Sequence, residues 1–216
     1  MKKFYIVATA LILLVGAFLG ATLFYQQQQA EEANNAAARY ANNLEPEYAA
    51  TLGDPNARVT IVEFFDPACE TCKSFHPLVK RILNENPGKV RLVMRYAPLH
   101  AGSDYVSALL EASKQQGKFW ETLEAAYDAQ SVWASHGNPQ PKRLWMQLDG
   151  IDLDFKKTEA AMQSQEVLEN VRRDVEEGRQ MGVNKTPTFY VNGKPLLQFG
   201  YQQLLDLVET EIRNAY

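Results

Sequence analysis

The stretch that most constrains this chain is residues 59–77, VTIVEFFDPACETCKSFHP. A β-branched and aromatic run from Val59 to Phe65 stops at Asp66-Pro67, and the pair Cys69 and Cys72 follows at once. This pattern predicts a strand, a turn, and a helix that opens at the first cysteine, the context in which Cys-x-x-C reads as a redox pair. At a helix start the unpartnered backbone N–H groups and the helix dipole favour an anion. For a cysteine that anion is the thiolate, the form that attacks a disulfide. Cys72 lies one turn further in, close enough to resolve a mixed disulfide. The chain has no other cysteine, so a structural disulfide framework is excluded.

Three more positions sharpen the pattern. Glu63 lies six residues before Cys69, on a run apolar enough for burial to raise its pKa and let it accept and return the Cys72 proton. Pro77 falls inside the predicted helix, where a proline kinks it. Thr186-Pro187 opens the downstream run TPTFYVNGK. Together these residues resemble the thioredoxin fold, and most closely the DsbA-like thiol-disulphide oxidoreductases of the bacterial cell envelope. The resemblance covers roughly the last three-quarters of the chain. It implies an α/β, thioredoxin-like fold with an inserted helical subdomain, in which Cys69 is the attacking thiol and Cys72 the resolving one. It further implies a cis bond before Pro187, facing the cysteines, with the Thr186 backbone pairing to an extended substrate by strand addition. Glu70 and Thr71 stand between the cysteines, where the strong oxidant of the family carries Pro-His. A carboxylate at Glu70 repels the Cys69 thiolate and makes the pair more reducing.

The resemblance implies no cofactor, since the electrons travel in the cysteine pair. Its partners would be cysteine-containing envelope or secreted proteins, and a membrane redox partner, either a quinone-linked oxidase or a transmembrane reductant. A reading from another class is a tethered chaperone or peptide-binding module with an incidental disulfide. Zinc would need two ligands beyond the cysteines, and His76, His100 and His136 are not spaced to supply them. His76 is read as a surface residue and His100 as a loop residue.

At 216 residues the chain suits one domain with appendages, and a net charge of −4 argues against a nucleic-acid surface. Two lysines precede an uncharged, mainly apolar run over residues 4–25, which as a helix spans roughly 33 Å, enough for a bilayer core. Residues 1–25 are therefore expected to be a transmembrane anchor, with a cleaved signal peptide as the rival reading. Lys2 and Lys3 would stay on the cytoplasmic side, giving a single-pass inner-membrane protein whose domain faces the periplasm. Residues 26–50 read as a flexible polar stalk, with a helical stem as the alternative. The domain is expected over residues 51–216.

Within it, residues 51–58 are turn-rich and residues 89–96 alternate as a strand with one covered face. Residues 103–182 are mostly helical, with Ser103 as an N-cap and Val167, Val171 and Val175 on one apolar face. Residues 188–191 form a strand, Asn192-Gly193 a hairpin turn and residues 194–199 its partner, before a last helix carrying Leu204 and Val208.

Overall fold

The computed structural model describes residues 2–39, 43–135 and 137–216. His136, weighed above as a zinc ligand, and residues 40–42 of the expected stalk lie outside the described residues. Helix α1 runs unbroken over Lys2–Arg39. Its segment Leu11–Gln28 is long and apolar enough to cross a membrane, with a mean hydropathy of 1.3. Residues 26–39 are thus helical rather than the flexible stalk expected, because Gln, Ala and Glu favour helix and neither Gly nor Pro interrupts them.

The packed domain also begins earlier than residue 51. Leu44 is buried against Val62, Phe64, Val93 and Met181. Strand β1 (Ala50–Gly53) occupies the region expected to be turn, and pairs antiparallel with β3 (Val90–Tyr96). Next to β3 runs β2 (Val59–Phe65), parallel to it, then β4 (Thr188–Val191) and the two-residue β5 (Lys194–Pro195), both antiparallel to their neighbours. The order β1-β3-β2-β4-β5 places β2 at the centre, which is why all seven of its residues are buried. The last strand is shorter than the six residues expected, since only Lys194 and Pro195 ladder with β4.

Helix α2 (Glu70–Glu85) returns the chain from β2 to β3, with Pro77 inside it. Between β3 and β4 lie α3 (Ser103–Lys114), α4 (Phe119–Asp128), the short α5 (Gln130–Trp133), a 3-10 turn over Pro141–Gln147, α6 (Phe155–Ala161) and α7 (Gln165–Gln180). Helix α8 (Tyr201–Ala215) closes the chain and buries Leu204 and Val208. Side chains alternate along β2, so Val59, Ile61 and Phe65 join the main core with α2, α3 and α4, while Val62 and Phe64 join a smaller one on the other face.

Three local expectations change for a physical reason. Residue β3 Arg95 is not on an open face: it is fully buried, and donates to Asp174 (2.6 Å) and Glu177 (2.6 Å) on α7. Asp174 also accepts from the Tyr48 hydroxyl at 2.6 Å and the Tyr96 amide at 2.8 Å. The inward face of α7 is accordingly Val167, Asn170, Asp174 and Gly178, not the valine row, and Val175 is exposed. Gly178 fits closely there, since a Cβ would lie 3.1 Å from the Phe64 ring, which would have to shift to admit it. At α3 the N-cap is Gly102, in the left-handed region with φ 83°, and Ser103 is the first helical residue. Its buried hydroxyl donates to Asp66 instead of capping the helix.

Candidate active site

The site is built where β2 ends. Asp66 is completely buried just past the strand and accepts from the amides of Ala68 (2.8 Å), Leu99 (2.7 Å) and His100 (2.8 Å). His100 Nδ1 lies 2.7 Å from the same carboxylate, so the loop residue is tied to the turn that carries the cysteines. Gln130 of α5 completes the brace, its side-chain amide donating to the carbonyls of Pro67 (2.9 Å) and Cys69 (3.1 Å). Neither Asp66 nor Gln130 was singled out from the sequence. An Asp before Pro at a strand end is a recognisable turn former, but Gln130 lies 61 residues from Cys69 and carries no local signal.

Cys69 is the N-cap of α2, with extended backbone angles, and its sulfur accepts the Cys72 amide at 3.5 Å. The Cys69 thiol donates to the Thr186 carbonyl at 3.3 Å, and the Thr186-Pro187 bond is cis. Both cysteines are free thiols, Cys69 6% exposed and Cys72 wholly buried. The hydrogen bond from the Cys72 side chain holds the Cys69 pKa down to about 5, helped by the Thr186 side chain and the amides of Cys72 and Thr71 and opposed by burial. Burial, above all, pushes the Cys72 thiol far up, with the hydrogen bond to Cys69 and the Glu63 charge adding to it.

Glu63 pairs with Met94 and Phe189 in the middle of the sheet and is 1% exposed. Neither of its carboxyl oxygens has a hydrogen-bond partner among the described residues. Burial, followed by the Cys69 charge, raises its pKa to about 8. Cys69, Cys72, Thr186 and Pro187 thus meet at one point, with Glu63 among the charges that Cys72 feels. Glu70 opens the first turn of α2 between them, and the Thr71 amide contributes to the anion site.

His76 departs from its expected surface position. It is 7% exposed, because the helix turns it towards α4, where its ring lies 5.4 Å from that of Tyr127. Among the described residues no group of three or more His, Cys, Asp or Glu is arranged to hold a metal ion.

The profile of the family described as thioredoxin matches residues 45–210. Among curated proteins, a Na(+)/H(+) antiporter, NhaA 3, of Salinispora tropica is 28% identical over 154 residues, 70% of this chain. The chain spans only 22% of that relative's length. Disulfide bond formation protein D of Bacillus subtilis is 26% identical over 75% of this chain and 76% of its own. Among solved structures, a thioredoxin-like oxidoreductase from Silicibacter pomeroyi is 26% identical with a TM-score of 0.67, covering 79% of this chain and 95% of its own. The alpha-DsbA1 of Wolbachia pipientis superposes with a TM-score of 0.69 over 81% of this chain and 96% of its own, at 18% identity, a likeness of fold.

The two shifted groups make opposite contributions to stability. The folded protein keeps the Glu63 proton from the ordinary 4.5 up to about 8, so this group lowers stability as pH rises through that window. It also gives up the Cys69 proton from about 5, where the unfolded chain holds it to 9.0, so this group raises stability over its own window. Between pH 5 and 8 the two oppose. Glu63→Gln removes the first, and its stability relative to wild type should climb across that range by up to about 4 kcal/mol. Urea unfolding of the reduced protein at several pH values checks this; a constant difference would mean that Glu63 is not held protonated.

Proposed function

The chain belongs to the thioredoxin family and has the fold of the DsbA-like thiol-disulphide oxidoreductases, and from that premise we propose that it exchanges disulfides with envelope proteins through Cys69 and Cys72. The observation that carries this reading is the Cys69 sulfur at the start of α2, its pKa held near 5, beside the Thr186 carbonyl. A thiol in that position is ionised at neutral pH and ready both to attack and to leave.

In the oxidised protein a client thiolate attacks the Cys69 sulfur, the Cys69–Cys72 bond breaks and Cys72 departs as a thiolate. Glu63, in its protonated form, supplies the proton that Cys72 takes up. A second client thiolate then attacks the client's sulfur, and Cys69 leaves as the stabilised thiolate. Run in reverse, the same steps reduce a client disulfide: Cys69 attacks, Glu63 as carboxylate takes the Cys72 proton, and Cys72 resolves the mixed disulfide. The charge on Cys69 helps time this shuttle. It raises the Glu63 pKa while Cys69 is a thiolate, and that effect vanishes once the sulfur is bonded to a client. More of Glu63 is then in the carboxylate form that can accept a proton, at the moment when Cys72 must lose its own.

Thr186 and Pro187 form the docking edge, where a client segment adds alongside the backbone of Thr186. Helix α1 supports a single-pass tether in the inner membrane, with the domain on the periplasmic side where disulfides persist. A membrane redox partner, quinone-linked oxidase or transmembrane reductant, would reset the pair.

Cys69→Ser should abolish turnover, whereas Cys72→Ser should accumulate mixed disulfides with clients, seen as thiol-sensitive bands on a non-reducing gel. Equal trapping by both variants would reverse or void the assigned roles. Glu70→Gln tests the tuning: removing a charge about 6 Å from the thiolate at an effective dielectric near 60 is worth about 1 kcal/mol, and should raise the reduction potential by about 20 mV. A fall in potential would show that Glu70 acts through the helix instead.

A further inference from the structure

The exchange chemistry leaves a group of buried polar atoms without a role. The Tyr127 hydroxyl and both His76 ring nitrogens, like the Glu63 carboxyl oxygens, are buried and have no hydrogen-bond partner among the described residues. Each such atom costs roughly 1–3 kcal/mol, so several in one region call for an explanation. Tyr127 is also near enough to feel the Glu63 charge. By alternation Glu63 shares the β2 face of Ile61 and Phe65, whose core cluster contains Cys72 and Tyr127. Tyr127 in turn lies against His76, ring centroids 5.4 Å apart, and both rings line a cleft of about 660 Å³ between α2 and α4. Lys73, Lys80, Glu124 and Asp128 line the same cleft. His76 lies on the flank of α2 that faces α4, whereas Cys69 at the helix start meets Thr186, where a client would dock.

We infer that Tyr127 and His76 are relay residues that carry protons between Glu63 and the cleft, so that Glu63 is recharged while a client covers the front of the site. This rests on the proposed role of Glu63 in the exchange. Cys72–SH and the Glu63 carboxylate give the Cys72 thiolate and Glu63 carboxylic acid. Glu63 then passes its proton to the Tyr127 oxygen as the Tyr127 hydroxyl proton moves to His76, and His76 releases one to water in the cleft. One proton leaves, Tyr127 and His76 return to their starting forms, and no electron moves. The transfer requires water to bridge these atoms across the cleft.

A relay imidazole must be neutral to take up a proton as well as release one. The groups facing His76 are Lys80 on α2, Tyr127, Glu124 and Asp128 on α4, with Glu63 beyond Tyr127. Burial, then Lys80, hold His76 below its ordinary pKa, against the pull of Glu124 and Asp128, and Glu124 Oε1 stands 3.9 Å from its Nε2.

The test uses the full chain in detergent and follows single-turnover resolution of a mixed disulfide between Cys69 and a model peptide, against pH and buffer concentration. His76→Gln should slow resolution about tenfold in dilute buffer at pH 7, and added imidazole should restore it. The Cys69 thiolate titration and the reduction potential should stay at their wild-type values. A wild-type rate in His76→Gln, or a slowed rate that imidazole does not restore, overturns the relay. Tyr127→Phe keeps the ring in place and removes only the hydroxyl. It should be slowed to a similar extent, and an unimpaired rate also overturns the relay. Failure of the wild-type chain itself to exchange disulfides would instead remove the underlying reading of the site.

Discussion

A thiolate can persist at Cys69 because the Cys72 side chain donates to it and the first turn of α2 adds amides that the helix cannot use. Everything nearby serves that one arrangement. Residue 69 must be the N-cap, so the chain must leave β2, turn through Asp66-Pro67 and enter the helix with its sulfur facing inward. Asp66 holds the turn from one side by accepting three amides, and Gln130 holds it from the other by binding two carbonyls. Without those braces the amides of Thr71 and Cys72 would still exist, but nothing would hold a sulfur against them.

The same arrangement sets an order among three acids. Cys69 is lowest, at about 5; Glu63 follows at about 8; and Cys72 lies far above both. Burial acts on all three, since it disfavours any anion, and only Cys69 has enough donors to overcome it. The result is that charge sits on the sulfur reached from outside, while the inner sulfur and the acid behind it stay neutral. Such an order follows from position in the fold: the chemically identical thiols of Cys69 and Cys72 are driven in opposite directions one helical turn apart.

Away from the site, the insertion of helices α3 to α7 is fastened by polar as well as apolar contacts. Arg95, fully buried on β3, reaches Asp174 and Glu177 of α7, and Tyr48 joins Asp174 from the segment before β1. Buried ion pairs of this kind add little net stability over apolar packing, yet breaking one is costly. They specify which way α7 lies on the sheet. The alternation of residues 89–96 was legible, but a basic side chain on a strand reads as solvent-facing unless its acidic partner, 79 positions later, is known. For the same reason the valine row of α7 looked like the buried face, and the last part of the stalk expected over residues 26–50 packs Leu44 and Tyr48 against the domain.

What the sequence determined by itself was local chemistry and local geometry. The run from Val59 to Phe65, the Asp-Pro stop and the Cys-x-x-C spacing dictate a strand, a turn and a helix whose first position is a cysteine, because those preferences arise within a few bonds. The apolar length of the first helix and the Asn-Gly turn before β5 were legible on the same grounds. Only the tertiary structure decided what each side chain would face. It buried His76 against Tyr127 where the sequence left a histidine on a helix surface, placed Gln130 under the cysteine turn, and brought Thr186 to within 3.3 Å of Cys69 from 117 residues away. Burial and long-range contact are properties of the packed chain, and these are what separate the acidities of the two thiols and of Glu63.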